Sequence, residues 1–367
     1  MLTDKNVTAI VREMVIDLLL KNLMHMDGGI PRGWSWKFVE DQGLLSLLDV
    51  ASQIPEQCDY PVSHETRQHV AICLQRLDED MVFDSKRLIY KEKVDKVFNN
   101  LMASAVNNKE DHKARIKLAS LLITLLQGPV DTGVNLVTND QVTAVMLEMA
   151  SSSDRLMQSV AAELIVMTVV KHERATSILK VGLPVLRKLY ESDDENVKVR
   201  ALGLCKCAAA GGDDASRATM NEGASLKLAR TCKKFLLDYD KYSIEVRRFA
   251  CEGLSYLSLD ADVKEWITED SLLLRALFCL AQSAGALSYT LATIYVNLTN
   301  SFDKPEVNEE MVKLAQFAKH HVPEVHPKDT DDYVEKRVRS LVEEGAVAAC
   351  VAISKTESHK ALELLAR

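Results

Sequence analysis

Aromatic residues are scarce in this chain, at 5% of 367 positions, and there is no excess of positive charge: 45 Lys and Arg face 53 Asp and Glu, a net of -8. An acidic chain lacks the electrostatic footprint that holds nucleic acid or an anionic membrane, so neither is an expected partner. Long apolar runs are missing too. The longest, Leu118 to Leu126, falls well short of the ~20 residues a membrane helix needs. Lys5, Arg12, Glu13 and Asp17 break every apolar run near the start, so no secretory signal is predicted and the protein is read as cytoplasmic. In that compartment the eight cysteines read as free thiols, used as small apolar fillers in helices. Catalytic signatures are also lacking: there is no P-loop, GxGxxG, GxSxG or HExxH, and no enzyme is expected. Cys205 and Cys207 point to different faces of a helix, and His320, His321 and His326 flank prolines in a loop, so no metal or cofactor is expected at either.

The chain does contain a repeated helical pattern. A small residue preceded by a large apolar one recurs as Val70-Ala71, Leu118-Ala119, Val160-Ala161, Leu202-Gly203, Phe249-Ala250 and Leu291-Ala292, with steps of 48, 42, 42, 47 and 42 residues. A second marker, a turn-former before an apolar run, keeps step at Gly43, Asp140, Gly182, Gly223, Asp270 and Gly345, the last pointing to a seventh anchor at Leu365-Ala366. A period in this range, with no alternating β-branched runs, predicts an all-α fold, an armadillo-repeat superhelical solenoid. A generic helical bundle has no reason to repeat at this spacing.

Read in order, the opening stretch predicts a helix with Val11, Met14, Val15, Leu18 and Leu19 on its inward face. Trp34, Trp36 and Phe38 are expected to seal a repeat junction. The step from Ala292 to Ala366 is far longer than the period, which predicts an insertion at 301–339, and insertions in solenoids map to loops on one face. The chain stops at Arg367 inside what should be a third helix, so it reads as a piece of a longer protein. On the third helices, positions three before, one after and five after each anchor are expected to line a concave groove. At one after and five after, the nuclear-import armadillo proteins carry a ladder of Trp and Asn. Only Asn297 fits that ladder here, which excludes that reading.

The run 235–300, and above all Ala292 to Phe302 followed by Met311-Val312-Lys313-Leu314-Ala315, His321-Val322-Pro323-Glu324 and His326-Pro327-Lys328-Asp329, resembles the animal UCS-domain myosin co-chaperones, the "uncoordinated" muscle-chaperone family. The resemblance extends upstream through Val199 to Cys207 and Gly182 to Tyr190 to most of the chain. It implies a central armadillo-repeat domain at 1–240 and the first repeats of the UCS domain at 241–367, with the TPR domain and the rest of the UCS domain absent. The implied partners are the myosin motor domain and, through the missing TPR domain, the heat-shock-ninety chaperone, with self-association also possible; the implied location is the cytoplasm, including the sarcomere. The expected client-binding residues are Arg247, Ser255, Tyr289, Thr293 and Asn297 in the groove, and Phe302, Met311, Phe317, His321, His326 and Tyr333 in the loop. Two plainer roles stand beside these: Asn297 ties neighbouring helices, and Arg247 pairs with Glu245 or another carboxylate. An armadillo adaptor for a peptide or helix of another partner is the alternative function, and a purely architectural spacer a third.

Overall fold

The computed structural model describes residues 1–23, 33–108, 110–169, 176–202, 223–283, 287–301, 326–356 and 358–366. Among these, regular structure is helical apart from one isolated antiparallel bridge between Ile54 and Gln57. The chain divides into two compact units, Met1–Ala201 and Leu202–Arg367.

The first unit contains α1 (Ala9–Leu23), α2 (Trp34–Glu40), α3 (Gly43–Ala51), α4 (His64–Phe83), α5 (Arg87–Asn107), α6 (His112–Gln127), α7 (Val130–Val137), α8 (Asp140–Ala150), α9 (Arg155–Val169), α10 (Thr176–Tyr190) and α11 (Glu195–Ala201). Polar caps set several starts: Ser63 and Thr66 form a reciprocal capping box on α4, Asp111 accepts from the Ala114 N–H on α6, and Asn139 accepts from the Gln141 N–H on α8. Helix α6 is apolar on nearly every side and is buried from Leu118 to Leu126, the behaviour expected of a helix wrapped by neighbours. Its polar residues are spent on the same packing: the Ser120 and Thr124 hydroxyls donate to the Ala51 carbonyl at 3.0 and 3.1 Å, closing the C-terminal end of α3. The aromatics of α2 do seal a junction, with Trp34 stacked on Phe38 at 5.1 Å and the Lys86 ammonium 3.9 Å from the Trp36 ring centre.

The second unit contains α12 (Ala224–Leu237), α13 (Ile244–Leu257), α14 (Ala261–Thr268), α15 (Ser271–Ser283), α16 (Ser288–Thr299), α17 (Asp331–Glu343), α18 (Ala346–Ile353) and α19 (His359–Leu365). Gly223 and Gly345, with φ of +79° and +96°, supply the left-handed residue that turns the chain into α12 and α18. The anchors Ala71, Ala119, Ala161, Ala250 and Ala292 are all buried to 2% exposure or less, as close helix packing requires; Gly203 lies outside the described residues.

Three expectations are corrected. In α1 the buried residues are Arg12, Ile16, Leu20 and Leu23, while Met14 and Leu18 are 66% and 62% exposed. The helix carries apolar residues on more than one side, so periodicity did not single out a face. Arg12 decides it, because its guanidinium donates to the Leu2, Asp4 and Pro61 carbonyls and lies 4.5 Å from the Tyr60 ring centre. Gly182 is no turn but sits within α10, where an added Cβ would come within 2.8 Å of Ile165 Cγ2; it serves close approach of helices instead. Ala366 is the exposed residue ending α19, and the buried small residue of that helix is Ala361.

Candidate functional site

The groove residues expected from sequence lie on α13 and α16, which pack against each other in the second unit. Ser243 starts α13 by accepting from the Val246 N–H, so Arg247 falls on the first turn. The Arg247 guanidinium lies over the Tyr239 ring, 4.8 Å from the centre. Its Nε is buried and without a hydrogen-bond partner. Tyr239 and Tyr289 are 43% and 50% exposed. Thr293 stands one turn beyond Tyr289, its hydroxyl donating to the Tyr289 carbonyl at 2.9 Å.

The other two groove residues face inward. Ser255 is buried, and its hydroxyl donates to the Glu252 carbonyl at 2.7 Å. Asn297 is half-buried, and its Nδ2 donates to the Ser255 carbonyl at 3.1 Å and to Ser258 Oγ at 3.0 Å. Asn297 therefore ties α16 to α13. Cys251, at the position after the Ala250 anchor, is fully buried, and burial pushes its thiol well above the ordinary range. On α13 and α16 the positions one and five after the anchor are thus buried or half-buried, and of the positions three before it Tyr289 is exposed and Arg247 half-buried.

Phe302, Met311, Phe317 and His321 lie outside the described residues. His326 is exposed, with Nδ1 accepting from the Lys328 N–H at 3.2 Å and Nε2 3.7 Å from Asp262. Lys328 donates to Asp262 at 2.6 Å, and this bond holds the Asp262 carboxyl below the usual range. Tyr333 is half-buried on the first turn of α17.

A feature that the repeat analysis missed lies at the C-terminal end of α16. Lys264 and Glu265 on α14, Asp329, and Arg337 on α17 are each 6% exposed or less and form one ion network. Arg337 uses all five of its N–H groups: Nε to the Leu298 carbonyl (2.9 Å), Nη1 to Glu265 and the Lys328 carbonyl (both 3.1 Å), Nη2 to the Asn300 carbonyl (3.3 Å) and Asp329 (3.2 Å). Lys264 Nζ bonds the Asn300 carbonyl at 3.1 Å and both Asp329 oxygens at 2.9 and 3.0 Å. On the rim, Lys336 donates to Glu265 and Glu269, and Ser340 donates to the Thr268 carbonyl. The sequence did hold a signal for it. Arg337 occupies the apolar stripe of α17 between Val334 and Leu341, where a charge must be either paired or out of place. Among the described residues no group of His, Cys, Asp or Glu is arranged to hold a metal ion, and no helix is long and apolar enough to cross a membrane.

Comparison with known proteins identifies the family. Residues 13–232 match the family model described as "Myosin-binding striated muscle assembly central". The chain is 35% identical over 367 residues to protein unc-45 homolog B of Xenopus tropicalis, covering 98% of this chain and 38% of that protein. Against the crystal structure of the myosin chaperone UNC-45 from C. elegans in complex with an Hsp90 peptide it is 67% identical with a TM-score of 0.83, covering 100% of this chain and 38% of that one. UNC-45 from Drosophila melanogaster aligns at 34% identity and a TM-score of 0.80, covering 100% of this chain and 46% of that one. The chain thus spans about two fifths of the length of the curated relatives it matches. Its fold is the all-α solenoid of helical repeats seen in those structures, and the chain belongs to the myosin-binding striated muscle assembly central family, that of the UNC-45 proteins.

Proposed function

We propose that this chain is the scaffold part of a myosin-directed co-chaperone, a binding protein and not a catalyst, and that the exposed face of α13 and α16 contacts the myosin motor domain. The observation that carries this reading is the full-chain match, at 67% identity, to the myosin chaperone UNC-45 from C. elegans. The surface supports it physically. Tyr239, Arg247 and Tyr289 are residue types that dominate binding energy at protein interfaces, because they offer large rigid area with a polar end. Arg247 and Tyr289 also stand on packed helices, which lowers the ordering cost of binding; Tyr239 lies in the turn before α13. In this reading the central repeats run to about residue 240 and the first UCS repeats follow. The heat-shock-ninety chaperone engages elsewhere in the longer protein, through a TPR domain, and the place of work is the cytoplasm, including the sarcomere of muscle.

The test is a titration of fluorescently labelled myosin motor domain with this chain and with its Arg247→Ala/Tyr289→Ala variant. The expected result is saturable binding that weakens about tenfold or more in the variant, the loss typical of central interface anchors. Equal affinity of the two would remove the groove from the contact. Tight binding of one short peptide from another native protein, with no affinity for the motor domain, would favour the adaptor alternative.

A further inference from the structure

We infer that the buried network of Lys264, Glu265, Asp329 and Arg337 is the positioning device of the groove, fixing where α16 sits against α13. The inference rests on the proposed myosin-binding reading for its functional outcome, but not for its structural one.

Stability alone does not account for such a network. Taking four charges out of water is costly, and well-packed apolar side chains of similar volume commonly stabilise as much or more. What apolar residues cannot supply is direction. The guanidinium is a planar fork with fixed donor vectors, and here every vector is used. Three of the acceptors are backbone carbonyls: Leu298 and Asn300 at the C-terminal end of α16, and Lys328 where the chain returns. Lys264 adds a second cation at that same helix end, where the backbone dipole is negative. Asn297 makes the other polar tie, to Ser255 and Ser258. These ties, on Asn297, Leu298 and Asn300, gather in the last turn of α16 and reach α13, α14 and α17, so they fix both the rotation and the axial position of that end. Tyr289 and Thr293 ride on that helix, so the network sets where they stand relative to Arg247. It also brackets the stretch 302–325 in sequence, binding residues on both sides of it.

Three proteins test this: the native chain, a variant with Lys264→Met, Glu265→Leu, Asp329→Leu and Arg337→Met together, and the conservative Arg337→Lys. Thermal unfolding, affinity for myosin motor domain, and amide hydrogen exchange across 288–300 are measured on each. The fourfold apolar variant is expected to fold but to unfold at a lower temperature than the native chain, since the Leu298, Asn300 and Lys328 carbonyls lose their donors. Its motor-domain affinity is expected to fall about tenfold, and α16 to exchange faster, because the helix is no longer fixed in place. Arg337→Lys keeps the charge but not the fork. It is expected to shift both readouts in the same direction by a smaller amount, and it serves if the fourfold variant does not fold. Native exchange in α16 of the folded variants would overturn the inference, whatever the client does. Faster exchange with unchanged affinity would leave the helix positioned by the network but would sever that position from binding. Failure of the native chain to bind the motor domain would count against the proposed function, while the exchange result would still decide the positioning claim.

Discussion

At the scale of single residues, two positions separate packing from binding. Asn297 looked from sequence like a groove residue, because it matches the ladder of other armadillo proteins, and it proves to be a tie between α13 and α16. Asn297→Ala should lower stability by about 1 kcal/mol, the worth of the lost tie, since the Ser258 hydroxyl still donates to the Ser255 carbonyl. Urea unfolding checks this. Gly128 is the second case. A Cβ there would lie 2.1 Å from the Ala71 carbonyl oxygen, a backbone atom that cannot step aside. Gly128→Ala should cost about 3 kcal/mol, at the upper end of overpacking effects, read as a lower urea midpoint with an unchanged slope. Sequence shows Gly128 only as punctuation before Pro129. The close approach that demands it comes from a helix more than fifty positions away, which no local pattern reports.

Helices show most clearly what was legible in the sequence. Small anchors at a steady period located the third helices, and turn-formers the starts of most of the second helices before them, because those residues answer to constraints repeated in every unit. Faces were harder to assign. Helix α1 is apolar on more than one side, and which side is buried depends on Arg12 finding the Leu2 and Asp4 carbonyls just before the helix and the Pro61 carbonyl from a distant segment. The ion network on α17 was likewise hidden, since its partners lie 65 to 72 positions apart in the chain. Tertiary charge pairing of this kind also gives a pH dependence. Lys113 and Lys117 both donate to Asp59 and hold its carboxyl well below the usual range. Because the folded value lies below the unfolded one of about 3.9, the pairing stabilises above that pH and is lost as pH falls through and below it. Asp59→Asn should cost about 1 kcal/mol near neutrality, the scale of a partly exposed ion pair. The difference from the native chain should shrink below about pH 4, followed by thermal unfolding across pH.

For the whole molecule, a solenoid exposes a continuous surface that a bundle of the same length would bury, and its function is read from what stands on that surface. The fold class and family were legible in the repeat period and in the run from Ala292 onward. The surface of α13 and α16 was only partly so, because the register relative to the anchors did not show that Ser255 and Cys251 turn inward. The most direct measurement is light scattering from myosin motor domain heated with this chain, with its Arg247→Ala/Tyr289→Ala variant, and alone. Suppressed aggregation with the native chain, largely lost in the variant while its helical signal is unchanged, is the predicted result. Aggregation that proceeds equally with the native chain and without it would contradict the account.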